Sequence, residues 1–168
     1  ALSTKGPKVA VADVNKDGLD DFYACGAKFQ PGALMIQQNN GTFKQSDTTV
    51  FRSGAVSEDV DAVFFDANGD SFPDLFVTTG GNELPATPTA LFDKLYLNDG
   101  NGHFIKAEYS MPGVFENKSC VAVADVDNDG DTDLFIGNLA GPAKYGVPVS
   151  SYLFLNDGKA HFTRSAEN

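Results

Sequence analysis

The residues with the clearest chemistry are aspartates at alternate positions of one nine-residue stretch, 125–133, which reads Asp-Val-Asp-Asn-Asp-Gly-Asp-Thr-Asp. Calcium takes six to eight oxygen ligands at about 2.3–2.6 Å, and alternate side chains on a tightly curled segment converge on such a point. Gly130 permits the sharp bend because it has no Cβ to clash at positive φ. The stretch therefore predicts a calcium loop. Its predicted ligands are the side chains of Asp125, Asp127, Asp129 and Asp133 and the main-chain carbonyl of Asp131.

The same spacing occurs twice more in the chain, and in each copy the seventh residue would contribute its main-chain carbonyl. Residues of these types also form turns without metal, but three copies in register favour three calcium sites. Ser71 stands where the other loops have glycine, and a side chain at positive φ costs about 1 kcal/mol. We therefore predict that the second site is the weakest. The predicted ligands are Asp13, Asn15, Asp17, Leu19 and Asp21 in the first copy, and Asp66, Asn68, Asp70, Phe72 and Asp74 in the second.

The twelfth position of each loop excludes an EF-hand, which needs a bidentate glutamate there and a helix on each side. That position holds Ala24, Val77 and Ile136. The flanking segments are short runs of β-branched and aromatic residues, which are typical of strands. Each loop is therefore predicted to close a β-hairpin, with the ninth-position aspartate at the start of the second strand.

A second shared motif follows each loop: two short apolar runs separated by Asn-Asn-Gly or Asn-Asp-Gly, at 34–43, 95–104 and 153–162. Asn and Gly tolerate the positive φ of tight hairpin turns, so each motif predicts another strand pair. The repeating unit is strand A, calcium loop, strand B, variable loop, strand C, turn and strand D. Because the loops recur after 53 and 59 residues, we predict an all-β chain of three four-stranded antiparallel β-propeller blades. The blades cover approximately 6–50, 59–110 and 118–166 of a single unit, 1–168.

Composition narrows the function classes. The 168 residues carry a formal net charge of −11, which disfavours nucleic acid and anionic membranes as partners. No apolar run is long enough for a membrane helix, and no signal peptide is visible. The chain begins at Ala1 without methionine, so we interpret it as a processed form or a piece of a longer protein. Calcium loops of the millimolar class favour an extracellular or cell-surface location.

Catalytic signatures are missing: there is no nucleophile elbow, zinc-binding helix or phosphate-binding glycine loop. His103 and His161 occupy equivalent hairpin positions and are interpreted as surface strand residues. We therefore predict that the chain is not an enzyme. Asn40 and Asn117 lie in sequons, and Thr87 and Thr89 lie in a proline-containing loop, but the sequence does not decide whether any is glycosylated.

The loops between strands B and C diverge between the repeats. The loop is brief in the first copy, around Phe29, and extended in the second and third, at 80–89 and 141–148. Insertions on one face of a repeat protein often mark its binding face, although loop drift explains them equally well. A lectin-like or protein-binding module that uses Asn82, Glu83 and Tyr145 is therefore the alternative to a purely structural module.

The three nine-residue loops and the Leu-Asn-Asp-Gly-x-x-His-Phe hairpins resemble the FG-GAP or VCBS-repeat β-propellers. This family occurs in integrin α-subunit heads and in large secreted bacterial proteins with an ASPIC/UnbV region. Ser57-Glu-Asp-Val, Thr79-Gly-Gly-Asn-Glu and Ser119-Cys-Val are most similar to the bacterial group. The resemblance implies an extracellular, calcium-stabilised module for adhesion or assembly. Family propellers usually have about seven blades, whereas this chain has three.

Three blades without a ring leave one apolar face uncovered at each end, and these two faces are complementary. A contact of this kind is heterologous and gives a ring or an open filament. We therefore predict head-to-tail self-association, or further blades supplied by a longer parent chain. Cys25 and Cys120 are too few for a disulfide scaffold, but both fall at the blade end away from the loops. They would bridge successive chains if their Cα atoms came within about 7 Å.

Overall fold

The computed structural model describes residues 7–46, 49–80, 91–108, 110–140 and 148–166. These residues form twelve short strands and one short helix, α1, at Thr49–Arg52. None of them forms a helix long and apolar enough to cross a membrane. The strands are β1 (Val9–Ala12), β2 (Asp21–Ala24), β3 (Ala33–Gln37), β4 (Phe43–Gln45), β5 (Glu58–Phe65), β6 (Asp74–Gly80), β7 (Lys94–Asn98), β8 (Phe104–Ala107), β9 (Asn117–Ala124), β10 (Asp133–Ala140), β11 (Tyr152–Asn156) and β12 (Phe162–Arg164).

The strands form three separate four-stranded sheets in simple sequence order, and all neighbours are antiparallel. We call them blade 1 (β1–β4), blade 2 (β5–β8) and blade 3 (β9–β12). In every blade the residue before the acidic loop pairs with the ninth-position aspartate: Ala12 with Asp21, Phe65 with Asp74, and Ala124 with Asp133. The predicted all-β fold of three antiparallel blades with a loop between the first two strands is confirmed.

Blades 1 and 2 pack face to face around one apolar core. Alternation along the strands directs Tyr23 and Leu34 of blade 1 against Leu75 and Tyr96 of blade 2. Helix α1, which the sequence did not predict, contributes the buried Phe51, whose ring packs edge-on against that of Tyr96 with centroids 5.0 Å apart. The helix lies in the connection between β4 and β5, and its Phe51 side chain therefore adds to the core between the two blades.

A second core joins blades 2 and 3. It takes Phe76 and Leu95 from the opposite face of blade 2 and Leu134, Ile136 and Phe154 from blade 3. The first strands of the blades are neighbours, with β5 packed between β1 and β9. Blade 2 is thus covered on both faces, as expected for an inner blade of a radial stack.

Buried ion pairs reinforce the blade contacts at the end away from the acidic loops. The Asp59 carboxylate lies 2.6 Å from Lys94 Nζ and also accepts hydrogen bonds from the Tyr23 hydroxyl, at 2.9 Å, and the Gly26 amide, at 2.8 Å, of blade 1. Such a carboxylate is stabilised only while its partners remain in place. The charge arrangement therefore fixes how blade 2 sits on blade 1.

In blade 3 the equivalent strand position carries a buried positive charge instead of a negative one. Lys118 Nζ lies 3.3 Å from Asp93 Oδ1 and donates to the carbonyls of Leu91 and Val114. Burial raises the pKa of Asp93 and lowers the pKa of Lys118, and the attraction within the pair opposes both shifts. Asp59 and Lys118 occupy equivalent positions in the repeat. That position is therefore negative in the contact of blade 2 with blade 1 and positive in blade 3.

Both cysteines are free thiols. Cys25 lies in the core between blades 1 and 2, so its sulfur does not face a neighbouring chain. A Cys25–Cys120 bridge between successive chains would require Cys25 to leave this core. The structure therefore gives no basis for the proposed bridge.

Candidate metal centre

The first aspartate of each loop holds the loop backbone in a tight curl. Asp13 Oδ2 accepts a hydrogen bond from the Gly18 amide at 2.8 Å, five residues later. Asp66 accepts the same bond from Ser71 at 2.7 Å, and Asp125 accepts it from Gly130 at 3.1 Å. This curl brings alternate side chains toward the same side of the loop, as a cation site requires.

The third and fifth positions extend the same pattern. The fifth-position carboxylate accepts the amide of the seventh residue in all three loops, at 2.9 Å from Leu19, 2.8 Å from Phe72 and 2.9 Å from Asp131. In the first two loops the third residue is asparagine, and its amide nitrogen donates to the fifth-position carboxylate, at 3.0 Å in the first loop and 2.9 Å in the second. The third loop has Asp127 at this position instead.

Two positions in every loop take positive φ. The sixth position does so at Gly18 (84°), Ser71 (66°) and Gly130 (97°), which confirms that Ser71 takes the conformation glycine has in the other loops. The fourth position does so as well, and this was not predicted: its residues are Lys16 (57°), Gly69 (79°) and Asn128 (63°). Asparagine tolerates this conformation better than lysine or serine.

This second position changes the expected order of the sites. The first loop carries strain at Lys16 comparable to that at Ser71 in the second, while the third loop carries only Asn128. Backbone strain therefore does not single out the second loop as the weakest. It favours the third loop as the strongest.

The ninth-position aspartates are buried and connect each loop to the turn between the third and fourth strands. Asp133 Oδ2 accepts the Val126 amide at 2.9 Å, and its Oδ1 accepts the Asn156 amide at 2.8 Å. Asp21 and Asp74 make the equivalent pair of bonds. These residues therefore hold the blade together in addition to any role as ligands.

Burial affects the acidity of these carboxyls. It raises the pKa of Asp74 to about 6 and raises that of Asp21, against the lowering effect of the two backbone hydrogen bonds on each. Nearby loop carboxylates raise both further. A cation in the loop would reverse this by favouring the ionised form.

The third loop brings three of its predicted ligands together. One carboxylate oxygen from each of Asp125, Asp127 and Asp133 lies within 4.8 Å of the other two. Partial desolvation raises the pKa of Asp127, and so do the neighbouring carboxylates Asp129 and Asp133. Clustered carboxylate oxygens suit a hard divalent cation such as calcium.

The other predicted ligands are placed less closely. Within the described residues, which include all three loops, no other trio of acidic, histidine or cysteine side chains meets this distance. Asp129 and Asp131 do not belong to this trio. Partial desolvation raises the pKa of Asp131, and so do the neighbouring carboxylates, which include Asp129 and Asp157. In the first two loops the asparagine replaces one carboxylate of the trio.

Two asparagines that sequence reasoning passed over join the loops of neighbouring blades. Asn98 Nδ2 of blade 2 donates to the Val14 carbonyl in the first loop at 2.8 Å, and Asn156 Nδ2 of blade 3 donates to the Ala67 carbonyl in the second at 3.0 Å. Both asparagines are the first residue of an Asn-Asp-Gly turn, and this shared position is the sequence signal that could have identified them. The first and second acidic loops are therefore parts of blade contacts as well as hairpin ends.

The remaining predicted features fall in several places. His103 and His161 are exposed, and each ring lies beside the aspartate four residues earlier, at 3.1 and 3.3 Å. Asn40 is exposed, whereas Asn117 is buried. Asn82, Glu83, Thr87, Thr89 and Tyr145 lie outside the described residues.

The sheets and loops define a protein built from stacked four-stranded antiparallel blades with an acidic loop in each. The family model of the FG-GAP-like repeat matches residues 13–77 and again 66–136. Each match begins at the first aspartate of a loop, and together they cover most of the chain. The chain therefore belongs to the FG-GAP-like repeat family. A search of curated proteins finds no match, and the similarity to the bacterial group with an ASPIC/UnbV region stays a prediction.

Proposed function

We propose that the chain is a non-catalytic, calcium-stabilised structural or adhesion module that works outside the cell. The observation that carries this proposal is the convergence of Asp125, Asp127 and Asp133 at a hairpin end. FG-GAP-like repeats are typical of extracellular proteins, where millimolar calcium is available. Three calcium sites, one per loop, follow from the shared hydrogen-bond pattern of the loops.

Calcium would act through the blade contacts. Without a cation, the clustered carboxylates repel one another, and that repulsion is relieved by protonation or by loosening of the loop. The first two loops also accept hydrogen bonds from the next blade, through Val14 and Ala67. A bound ion that holds the loop in this shape therefore stabilises both the hairpin and the contact between blades.

A thermal unfolding experiment tests this proposal. We expect calcium to raise the melting temperature of the chelator-treated protein, and we expect Asp127→Asn to reduce the gain. Asp127 is exposed and accepts only a long bond, 3.3 Å, from the Asp129 amide, so this variant should fold normally. Glu58→Gln, an exposed carboxylate on β5, is the matched control and should retain the full gain. An unchanged transition in the chelator and in calcium would refute the proposal.

A binding function at the opposite end of the blades is the second candidate. Phe92 and Phe115 are both exposed, with ring centroids 5.4 Å apart in an edge-to-face pair. Phe92 lies just before β7, and Phe115 lies in the connection between β8 and β9. Exposed aromatic rings provide apolar surface for a sugar face or a peptide side chain.

A glycan array tests the second candidate. We expect binding to weaken in Phe92→Ala and in Phe115→Ala and to persist in Ile105→Ala, which removes a more exposed apolar side chain from β8. Binding that is equal in all three variants would assign recognition elsewhere, and the absence of any binding would leave the structural role alone.

A further inference from the structure

The outward face of blade 1 has the residues of a covered blade face. Val11, Phe22 and Met35 form one row across β1, β2 and β3, and Phe43 packs edge-on against Phe22 with centroids 5.0 Å apart. Val9, Val11 and Phe43 are exposed. This face therefore presents a continuous apolar surface of the kind that soluble monomers rarely leave open.

The repeat supplies the covered equivalent of this face. By strand register, the row Val11, Phe22 and Met35 corresponds to Phe64, Leu75 and Tyr96 of blade 2. Leu75 and Tyr96 are buried in the core between blades 1 and 2, with Phe64 packed against it. In blade 2, this face is covered by the blade that precedes it.

Blade 3 has the complementary open face. Ala122, Phe135 and Leu153 form one row across β9, β10 and β11. The equivalent row in blade 2 is Val63, Phe76 and Leu95, which packs in the core against blade 3. Phe135 and Leu139 are exposed. Among the described residues, no further blade covers this face as blade 3 covers the equivalent face of blade 2.

The second residue of each acidic loop gives an independent measure of the same difference. Val14 and Ala67 are both 0% exposed, because the following blade covers them, whereas the equivalent Val126 is 44% exposed. In the turn that does the covering, Gly102 and Ala160 are buried, whereas the equivalent Gly41 of blade 1 is exposed. The turn that covers a neighbouring loop is thus exposed in blade 1, and the loop that such a turn covers is exposed in blade 3, at opposite ends of the stack.

We propose that the open face of blade 3 binds the open face of blade 1 of a second copy of this chain, in the geometry that the chain already uses between its own blades. Gln37 occupies the position of Asn98 and Asn156. Its side-chain amide donates to the Val126 carbonyl of the neighbouring copy, as Asn98 donates to Val14. The contact is heterologous, so it gives a ring or a filament according to its rotation. The apolar rows of the two faces take part in this contact whether or not calcium occupies the loops.

Two charge substitutions test the proposal by sedimentation or light scattering at about 100 µM, a concentration that detects micromolar association. Val11→Glu blocks the face of blade 1, and Phe135→Glu blocks the face of blade 3. Both side chains are solvent-exposed, at 58% and 43%, so both variants should fold. We expect the unmodified chain to be larger than a monomer and each variant to be monomeric. Ile105→Glu, on the outer strand of blade 2 and 68% exposed, is the control and should associate normally.

A mixture of the two variants distinguishes this contact from any other. Val11→Glu keeps its blade 3 face and Phe135→Glu keeps its blade 1 face, so one intact contact remains in the mixture. We expect a one-to-one dimer and nothing larger. A monomeric unmodified chain, association that survives either substitution, or a mixture that stays monomeric would overturn the proposal.

The native thiols give a readout that does not rely on substitution. A Cβ built on Gly137 would lie 2.5 Å from the Cys120 sulfur and 3.7 Å from the Phe135 ring, so the thiol shares the open face of blade 3. Cys25 is buried between blades and serves as the internal reference. We expect maleimide labelling of Cys120 to slow at least fivefold between dilute and concentrated protein, with Cys25 unlabelled in both. Labelling of Cys120 at a rate independent of concentration would contradict the contact.

Discussion

Asp133 should stabilise blade 3 even when no calcium is present. Its two oxygens accept the Asn156 amide, which is buried, and the Val126 amide, which is partly exposed. Leaving a buried amide without its charged acceptor costs about 2 kcal/mol, and the partly exposed amide adds about 1 kcal/mol. Asp133→Ala should therefore lower the free energy of unfolding in a chelator by about 3 kcal/mol. For a chain of this length that is a fall of about 9 °C in melting temperature.

Calcium should widen the gap between this variant and the unmodified chain. A ligand present at 100 times its dissociation constant adds about 2.7 kcal/mol to the folded state, and Asp133→Ala loses this contribution. The difference in calcium should therefore be about 6 kcal/mol. Asp127→Asn should lose only part of the calcium contribution, because asparagine is the third residue of the other two loops. Its stability in the chelator should be unchanged, because the bond to the Asp129 amide is long and exposed.

Chemical denaturation of the three proteins, each in chelator and in calcium, measures these differences. If Asp133→Ala and Asp127→Asn were equally stable in the chelator, the structural role of the buried carboxylate would be refuted. If Asp127→Asn gained as much stability from calcium as the unmodified chain, the Asp127 carboxylate would not be a calcium ligand.

Three further predictions follow from the same contacts. The pKa of Asp74 is raised to about 6 in the folded state, so the folded state binds more protons than the unfolded state. The free energy of unfolding of the metal-free protein should therefore rise by about 1 kcal/mol between pH 7.5 and pH 5.5. Denaturation of Asp74→Asn should show no such gain from this residue. Lys94→Met leaves the Asp59 carboxylate buried without its cation and should cost about 3–5 kcal/mol, and a loss below about 1 kcal/mol in urea denaturation would contradict the role of that ion pair. Asp125→Ala should reduce calcium affinity more than Asp66→Ala in calorimetric titrations, because the third loop has the closest carboxylates and the least backbone strain; the opposite order would overturn the ranking.

The strands and the loops were predictable because their signals are local. The short apolar runs in segments such as Leu75 to Val77, and the fixed spacing of aspartate and glycine, depend only on neighbouring residues. The repetition strengthened these signals, since each loop and hairpin occurs three times. This is why the order of strands in all three blades agrees with the prediction.

The features that the sequence did not reveal depend on distant residues or on the exact backbone. Asp59 meets Tyr23 and Lys94 across 36 and 35 positions of the chain, and no local pattern encodes that pairing. The positive φ at Lys16 was hidden because lysine is not a residue that signals this conformation. The third loop was predicted as a ligand set of four carboxylates, and the structure brings three of them together without Asp129.

The most direct test of the central claim is a calorimetric titration of calcium into the metal-free chain, with the Asp125→Ala variant titrated in parallel. We expect saturable binding in the micromolar to millimolar range, with a site that is lost in the variant. Absence of binding heat up to about 10 mM calcium at several temperatures, with no change in the melting temperature, would contradict it.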